Sequence, residues 1–480
     1  MRPRRHRRFA LHCTLGLLSM ASSGATAQWS SDPATPLRVG YAGATFSERH
    51  NIVGANDGAV WAAWQDNICV GAVRLQRVSL RGKLLSPDGL LAQEDPTCGF
   101  HLPPVLVTTN GSTIVSRARV GLDSYPVQSF DAGGALTWPS GFMTSEVFTL
   151  GGAARLASDD VMICSHAQST IRADRVDPQG APVWASPAIF DNLSGSNMRV
   201  FAVVPEPGGG AYIFWDASPF PYTRLIRVQR LDADGLPAWE APIRLNGSPP
   251  DVTSSRHTDP VAVADGQGGA VLMFTEGFET GFTPAPLRMQ RIAPDGSLAF
   301  PLEGHVVSLG ADRQFDPIVE PDDATGDLIV SWRNGLLDDQ TINAQRISLG
   351  GDRLWGDAGV AIHPIERFGS SFDAVWRDGR LSVVIGGEGG AVMRRVDGAG
   401  KLDPVALQLS SAEQVSDVRS VASGDGIVVI WYRDRPGDDD DAIVAQRVNP
   451  SGRLGDPACN AGDLASPFGS LDFSDVVAFL

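Results

Sequence analysis

One pattern of apolar and polar positions recurs along the whole chain. In its clearest copy, Val228-Gln229-Arg230-Leu231 alternates apolar and polar residues, as expected of a short β-strand. A turn centred on Gly235 follows, and Trp239 is predicted to begin a second strand. Copies recur at intervals of about 50 residues, within the range of known structural repeats. In the eight copies the arginine position is occupied by Arg77, Ser129, Arg175, Arg230, Arg291, Arg346, Arg395 and Arg447.

The sequence around each copy predicts four strands. Two apolar runs, such as 260–264 and 269–274, come first and are separated by a short Asp-Gly turn. The Gln-Arg strand is the third, and the fourth follows the glycine turn, as in 355–362. Four short antiparallel strands repeated eight times predict an all-β fold, an eight-bladed β-propeller. A seven-bladed ring is the second interpretation, because the second and seventh copies are degenerate. An open solenoid or two packed β-domains come third.

Two irregularities at the ends of the repeat region explain each other. The last repeat ends near Leu454 and has no fourth strand of its own. Residues 36–39, Pro-Leu-Arg-Val, match the fourth strand at 242–245 but belong to no repeat. We therefore predict that this N-terminal strand completes the last blade and closes the ring, which leaves no open strand edge there. First strands would then line a central channel, and the variable loops between strands two and three would share one face.

The two ends of the chain indicate export and a separate tail. Residues 1–27 combine a basic segment, an apolar run and a small-residue site at Ala25-Thr26-Ala27, which predicts a cleaved signal peptide and a secreted protein. No later stretch is apolar over the roughly 18 residues that a membrane helix needs, so no membrane span is expected. The expected domains are the signal peptide 1–27, a propeller over 28–455 and a tail over 456–480.

Charge and cysteine content narrow the expected partners. The formal net charge of −16 disfavours nucleic acid and anionic lipid, and is typical of a soluble protein, here expected to be monomeric. Export permits disulfides, and Cys69 with Cys98 is the expected pair because both fall in the first repeat. No cysteine or histidine spacing indicates zinc.

The segment Trp431-Tyr432-Arg433-Asp434-Arg435, followed by an acidic loop and a strand that contains Ala445-Gln446-Arg447, resembles repeats of bacterial secreted propeller-like proteins. In that family a Trp-x-Asp-x-Arg turn, a polar loop and an Ala-Gln-Arg strand alternate. The resemblance covers roughly residues 36–455, and it is specific for architecture rather than for activity. Residues 459–479 resemble half of a dockerin, a C-terminal module of some exported bacterial proteins. That resemblance implies an EF-hand-like Ca²⁺ loop with ligands at Asp463, Asp472 and Asp475. Ala465 and Pro467 stand where oxygen ligands belong, which favours a docking tail without the metal.

Candidate binding groups lie where the repeats differ from one another. An acidic run follows Arg433, Asp434 and Arg435, and its Asp438 and Asp440 are candidate Ca²⁺ ligands. A solvated acidic loop is the alternative interpretation. An insertion at 276–286 presents Phe278 and Phe282, which could contact a ligand or partner, or could pack on themselves. The repeated arginines and tryptophans are expected to be structural, with each arginine bound to a turn carboxylate or carbonyl.

These features favour an exported, non-catalytic propeller that binds a protein or a glycan. The alternative is a carbohydrate-active hydrolase or lyase with a site in the central channel. Asp234-Gly235 followed by Trp239 resembles the Asp box of sialidase-type propellers, but the box's Ser or Thr is missing. An enzyme of this class would bring carboxylates, or a Tyr/Glu pair with several arginines, together at one mouth of the channel.

Overall fold

The computed structural model describes sixteen segments of the chain. They are residues 29–41, 50–65, 72–93, 104–116, 126–143, 149–167, 170–191, 197–220, 223–247, 255–278, 285–310, 312–336, 339–365, 370–411, 414–434 and 442–455. These segments form 32 β-strands and contain no helix. None of them therefore provides a helix long and apolar enough to cross a membrane.

The strands form eight four-stranded sheets, which we call blades 1 to 8 in chain order. Blade 1 consists of β2 (His50–Gly54), β3 (Val60–Gln65), β4 (Val73–Val78) and β5 (Leu90–Gln93), and blade 2 of β6 (Val105–Thr108), β7 (Ser112–Ser116), β8 (Pro126–Asp131) and β9 (Phe142–Met143). Blade 3 consists of β10 (Thr149–Arg155), β11 (Val161–Ala167), β12 (Thr170–Val176) and β13 (Ala188–Asp191). Blade 4 consists of β14 (Asn197–Pro205), β15 (Ala211–Phe220), β16 (Thr223–Leu231) and β17 (Ile243–Arg244).

Blade 5 consists of β18 (Ser255–Ala264), β19 (Ala270–Phe278), β20 (Leu287–Ile292) and β21 (His305–Val306), and blade 6 of β22 (Gln314–Asp322), β23 (Asp327–Leu336), β24 (Asp339–Ile347) and β25 (Val360–Ile365). Blade 7 consists of β26 (Ser371–Arg377), β27 (Arg380–Gly387), β28 (Gly390–Asp397) and β29 (Leu407–Gln408). Blade 8 consists of β30 (Gln414–Ser423), β31 (Gly426–Asp434), β32 (Ala442–Val448) and the N-terminal β1 (Leu37–Tyr41).

The blades form a closed ring. The first strand of each blade lies against the first strand of the next, and β2 of blade 1 lies against β30 of blade 8. The first strands therefore line a central channel, as predicted. The eight-bladed propeller is confirmed, and the seven-bladed ring, the open solenoid and the two-domain arrangement are wrong. The degenerate second and seventh repeats both form complete sheets.

Closure by the N-terminal strand is also confirmed. β1 pairs antiparallel with β32, with Leu37 opposite Ala445 and Tyr41 opposite Ala442. Val39 is fully buried in this sheet. The strand completes blade 8 in the place that a fourth strand takes elsewhere.

Trp29 adds a contact that the repeat comparison missed. Its indole Nε1 donates a 2.9 Å hydrogen bond to the Leu80 carbonyl of blade 1, and the side chain is 3% exposed. The last described residue, Gly455, lies beside it, since a Cβ placed there would be 3.3 Å from the Trp29 carbonyl oxygen. The N-terminal segment therefore supplies blade 8 with both its fourth strand and its tryptophan.

The fourth strands begin later than the sequence pattern predicts. β25 begins at Val360 rather than Trp355, and Trp239 precedes β17. After each glycine turn the chain makes a single bridge back to the third strand, such as Leu231 with Pro237. In the blades that have a tryptophan here, the chain then leaves the sheet so that the indole reaches the neighbouring blade, and pairing resumes afterwards.

The repeated arginine and tryptophan connect neighbouring blades at several boundaries. Arg230 Nε donates to the buried Glu206 carboxylate at 2.6 Å, and its Nη1 donates to the Pro294 carbonyl of blade 5 at 3.2 Å. Trp239 Nε1 donates to the same carbonyl at 3.2 Å. Equivalent pairs converge on one carbonyl at two further blade boundaries, Arg175 and Trp184 on Ala233, and Arg346 and Trp355 on Gly398. The structural interpretation is confirmed for these three arginine–tryptophan pairs.

The two faces of the ring are built differently. The turns between strands one and two and between strands three and four lie on what we call the short-turn face, where the arginine and tryptophan contacts are. The connections between strands two and three, and between successive blades, lie on the opposite, long-loop face. The strand pairs reaching that face differ in length, from five residues in β7 to ten in β15 and β23.

Candidate functional site

The predicted binding residues fall mostly on or beyond the ends of described strands. Arg433 and Asp434 end β31 at the long-loop face, where Arg433 is buried at 7% exposure, and Phe278 ends β19. The remaining predicted site residues lie outside the described segments, so their assignments stay predictions. They are Arg435, Phe282, the candidate Ca²⁺ ligands Asp438, Asp440, Asp463, Asp472 and Asp475, and the cysteines Cys69 and Cys98.

The described segments contain no cluster of three or more His, Cys, Asp or Glu side chains that could hold a metal ion. The acidic turn of blade 6 shows why such a turn need not bind one. Arg346 places Nη2 3.0 Å from Asp322 and Nε 2.9 Å from Asp327, so a guanidinium occupies the position of a cation. Cys164 is a free thiol in the core between blades 3 and 4, where burial raises its pKa.

Acidic side chains do line the channel, on the first strands of blades 6, 7 and 8. Asp373 of blade 7 accepts hydrogen bonds from the Ser420 backbone N–H at 2.5 Å and its hydroxyl at 3.1 Å, both in blade 8. Its other oxygen accepts from the Ala374 N–H at 2.9 Å. The Asp373 carboxylate therefore connects two neighbouring blades.

Asp417 makes the equivalent connection where the ring closes. It has a positive φ of 48°, at an irregularity of β30, and its carboxylate lies 2.8 Å from Arg419 Nη2. It also accepts from the His50 backbone N–H of blade 1 at 3.3 Å, with His50 Nδ1 3.2 Å away. Burial lowers the pKa of His50, although the Asp417 charge opposes this.

Glu320 of blade 6 is a second channel group with altered acidity. Burial, and then the charge of Asp373, raise its pKa to about 7. Burial also raises the pKa of Asp373 to about 6, although the nearby Arg419 opposes the shift. The channel thus holds carboxylates with raised pKa values on adjacent strands. Asp373 and Asp417 nevertheless each accept a hydrogen bond from a neighbouring blade and contact a residue of their own blade. Glu320 accepts a hydrogen bond from the Trp376 backbone N–H.

A concave site lies on the long-loop face instead, between blades 6 and 7. It is a cleft of about 640 Å³, within the range of about 300–1,000 Å³ typical of small-ligand sites. Apolar side chains from both blades and three polar side chains line it. The residues of the cleft are His363, Pro364, Ile365, Ser370, Ile385, Gly386, Gly387, Glu388, Gly389, Gly390 and Val392.

The cleft exists because the hairpin of blade 7 is short. β27 has 8 residues, whereas the corresponding β23 of blade 6 has 10. Gly387 pairs with Gly390, so only Glu388 and Gly389 form the turn. The glycines add no side-chain bulk, and a Cβ at Gly389 would meet nothing within 4 Å. The backbone of this turn is therefore open to a ligand.

Sequence reasoning missed this cleft. The glycine run around Glu388 was its only local signal, and it lies in one of the two repeats that look degenerate. The apolar walls come from β25 and from β27 and β28, which are separated in the sequence and meet only because successive blades pack together.

Comparisons with known proteins assign neither family nor activity. No protein-family model matches the chain, and no curated protein matches it. Among solved structures, polysaccharide lyase Uly1 is 9% identical with a TM-score of 0.45, over 72% of this chain and 89% of that one. The Dos1 propeller is 7% identical with a TM-score of 0.47, over 74% and 83%. A Penicillium chrysogenum α-L-arabinanase is 13% identical with a TM-score of 0.35, over 63% and 93%. Similarities this low support no assignment of function. The propeller fold is established by the strand pairing itself.

Proposed function

We propose that this chain is an exported, non-catalytic propeller that binds a protein or glycan partner on its long-loop face. The observation that supports this proposal is the cleft between blades 6 and 7, which is lined by apolar side chains of both blades, by three polar side chains and by an open glycine turn. The channel carboxylates Asp373 and Asp417, by contrast, accept hydrogen bonds from neighbouring blades. The signal-peptide pattern at residues 1–27 is the basis for proposing export.

Partner capture with a blocked cleft tests the proposal. In Gly387→Trp the new Cβ would lie 3.5 Å from Ser370 Oγ, an ordinary contact, and the indole would fill the cleft. Gly111→Trp is the matched control, because that glycine lies in the short turn of blade 2, where a Cβ meets nothing within 4 Å. Immobilised wild-type protein and the Gly111→Trp variant should capture the same partner from secreted and envelope proteins or from a glycan array.

We expect Gly387→Trp to lose that partner while it keeps the unfolding midpoint of the wild type. Equal capture by both tryptophan variants would show that the cleft is not the binding site. Failure of the wild-type protein to retain any specific partner would contradict the proposed function itself.

A second candidate function is a carbohydrate-active hydrolase or lyase, and one observation favours it. Glu320, with a pKa raised to about 7, has the acidity of a general acid, and Asp373 lies on the neighbouring strand. The test is incubation with a panel of polysaccharides and assay of new reducing ends and unsaturated products. Turnover that falls at least about 100-fold in Glu320→Gln would support catalysis, and absence of turnover across the panel would remove this candidate.

A further inference from the structure

We propose that the boundary between blades 7 and 8, on the short-turn face, binds the carboxylate of an external ligand through Arg395 and Arg380. This boundary lies on the face opposite the cleft between blades 6 and 7, so the inference goes beyond the proposed function and does not depend on it. It follows from a comparison of blade 7 with the other blades of the same ring.

The repeated arginine has a carboxylate partner in six of the seven blades that contain it. Each partner lies in or beside the turn between strands one and two of the same blade. In blades 3 to 6 the arginine Nε donates to this carboxylate at 2.6 to 2.9 Å. The six pairs are Arg77–Asp57, Arg175–Asp160, Arg230–Glu206, Arg291–Asp265, Arg346–Asp322 and Arg447–Asp425.

Blade 7 lacks this carboxylate. The strand register places Arg377 where blade 5 has Asp265, and Arg380 where blade 6 has Asp327. Arginine therefore occupies both positions that carry the partner in those blades. Among the described residues Arg395 has no carboxylate within ion-pair distance, and its buried Nε has no hydrogen-bond partner.

The charges around Arg395 leave it without an anion of its own. Arg380 Nη1 lies 3.5 Å from Asp403, and Arg377 Nε lies 3.2 Å from Asp378, so each of these two arginines has a carboxylate. Burial, and then the charge of Arg380, lower the pKa of Arg395, although the charge of Asp403 opposes this. A further carboxylate would offset the repulsion between the two guanidiniums and would accept the hydrogen bonds that the other blades make internally.

The boundary is also open, because blade 7 lacks the repeated tryptophan. Three blades place a tryptophan nine residues after the repeated arginine, at Trp184, Trp239 and Trp355. In blade 7 this position is Pro404, which is exposed, as is Arg380. The Arg395 guanidinium lies against Gly452 of blade 8, since a Cβ there would be 2.9 Å from Arg395 Cζ. No indole therefore covers the guanidinium in this blade.

The same chemistry has a second source within the chain. Residues 456–480 follow Gly455, lie outside the described residues and contain four aspartates. They are Asp456, Asp463, Asp472 and Asp475. The test therefore separates a carboxylate of this segment from that of an external ligand.

A pair of probes that differ only in charge tests the site. The full-length protein would be titrated with the amides of N-acetyl-glutamate and N-acetyl-glutamine at fixed ionic strength, with binding followed by saturation-transfer NMR. Fixed ionic strength is needed because the net charge of −16 repels anions over longer distances. The glutamate probe should bind about fivefold more tightly than the glutamine probe, the effect of one partly exposed ion pair.

Three variants localise this preference. Arg395→Gln should remove it. Arg380→Asp should also remove it, because the new aspartate stands where Asp327 pairs with Arg346 in blade 6, and its thermal midpoint should be no lower than that of the wild type. Lys83→Asp makes a similar change of charge at an exposed position of blade 1 and should keep the preference.

Equal binding of the two probes to the wild-type protein would overturn the inference. So would a preference that survives in Arg395→Gln or in Arg380→Asp, because the anion would then bind elsewhere. A preference that appears only after all four aspartates of residues 456–480 are changed to asparagine would show that the chain itself supplies the carboxylate. Each of these results leaves the proposed function untouched, since that function fails only through the cleft on the other face.

Discussion

At the residue scale, single carbonyl oxygens connect neighbouring blades. The Ala233 carbonyl accepts two hydrogen bonds from blade 3, one of 2.7 Å from Arg175 Nη1 and one of 2.9 Å from Trp184 Nε1. The turn that offers this carbonyl contains Gly235, whose φ is +81°, and a Cβ there would lie 2.8 Å from the Trp184 ring. Glycine is thus required twice, for the left-handed backbone and for the close approach of the indole.

Removing one of these donors should measurably loosen a blade boundary. Trp184→Phe keeps the ring but loses the hydrogen bond to Ala233, so we expect unfolding free energy to fall by about 1 kcal/mol. Urea unfolding would measure it. Leu236→Ala, in the neighbouring turn at 62% exposure, should cost less than about 0.5 kcal/mol. Equal losses in the two variants would mean that the indole N–H contributes nothing specific.

Glu320 should make stability depend on pH. Its pKa is raised to about 7, so protonation stabilises the folded state, and this contribution is lost as pH rises through about 7. Glu320→Gln stays neutral. The variant should therefore match the wild type at pH 4 and exceed its unfolding free energy at pH 8 by on the order of 1 kcal/mol, allowing for solvent screening.

Chemical denaturation at the two pH values would measure this difference. The exposed Glu303→Gln serves as the control, and it should show no gain that grows with pH. A Glu320→Gln variant that is less stable than the wild type at pH 8 would show that the ionised carboxylate, with the Trp376 N–H as its donor, is the favoured form.

At the element scale, β1 is the strand on which closure depends. Its residues are distant in sequence from β32, yet Val39 is as buried as the core of any blade. Strand order in blade 8 is therefore β1-β32-β31-β30, and among the described strands β1 alone covers the edge of β32.

A charge in β1 should open this sheet. Val39→Asp buries a carboxylate in the apolar cluster formed with Trp64 and Ile443, and we expect a loss of several kcal/mol. Hydrogen exchange of the β32 amides should be faster in this variant than in the wild type, whereas exchange of the β12 amides should change less. Val405→Asp, at 79% exposure, makes the same chemical change at the surface and should leave both rates unchanged. Intact β32 protection in Val39→Asp would mean that β1 is dispensable.

The positions of the strands could be predicted wherever the sequence repeat is regular. The strand count follows from the periodicity, and the closure follows from the unmatched strand at each end of the repeat region. The roles of Arg230 and Trp239 follow from turn chemistry that several blades repeat. The late start of β25 was not predictable, since Trp355 precedes an apolar run and only the contact with Gly398 of blade 7 shows why pairing is delayed. Trp29 escaped notice because seven residues, rather than three, separate it from its fourth strand.

At the scale of the whole molecule, the closed ring should tolerate a change in the position at which the chain begins and ends. Because Gly455 lies beside Trp29, a permuted chain of residues 50–455 followed directly by 29–41 should form the same eight blades. We expect its thermal midpoint to match that of the unpermuted chain 29–455. The same permutant carrying Val39→Asp should be destabilised. A permutant that remains unfolded would show that residues 42–49 are needed for closure.

The candidate site belongs to this scale too, which is why the sequence did not reveal it. Glu388 and Ile365 are unremarkable in their own repeats, and the cleft appears only where a short hairpin stands beside a longer one. The acidic run at 438–441 and the phenylalanine insertion drew attention by composition, which says nothing of which loops face one another across a blade boundary.

Both described ends of the chain, Trp29 and Gly455, lie on the short-turn face, and the cleft opens on the opposite face. The described chain therefore enters and leaves the ring on the face opposite the cleft. A propeller held at its short-turn face would leave the glycine turn of blade 7 exposed, so both faces could be occupied at once without colliding.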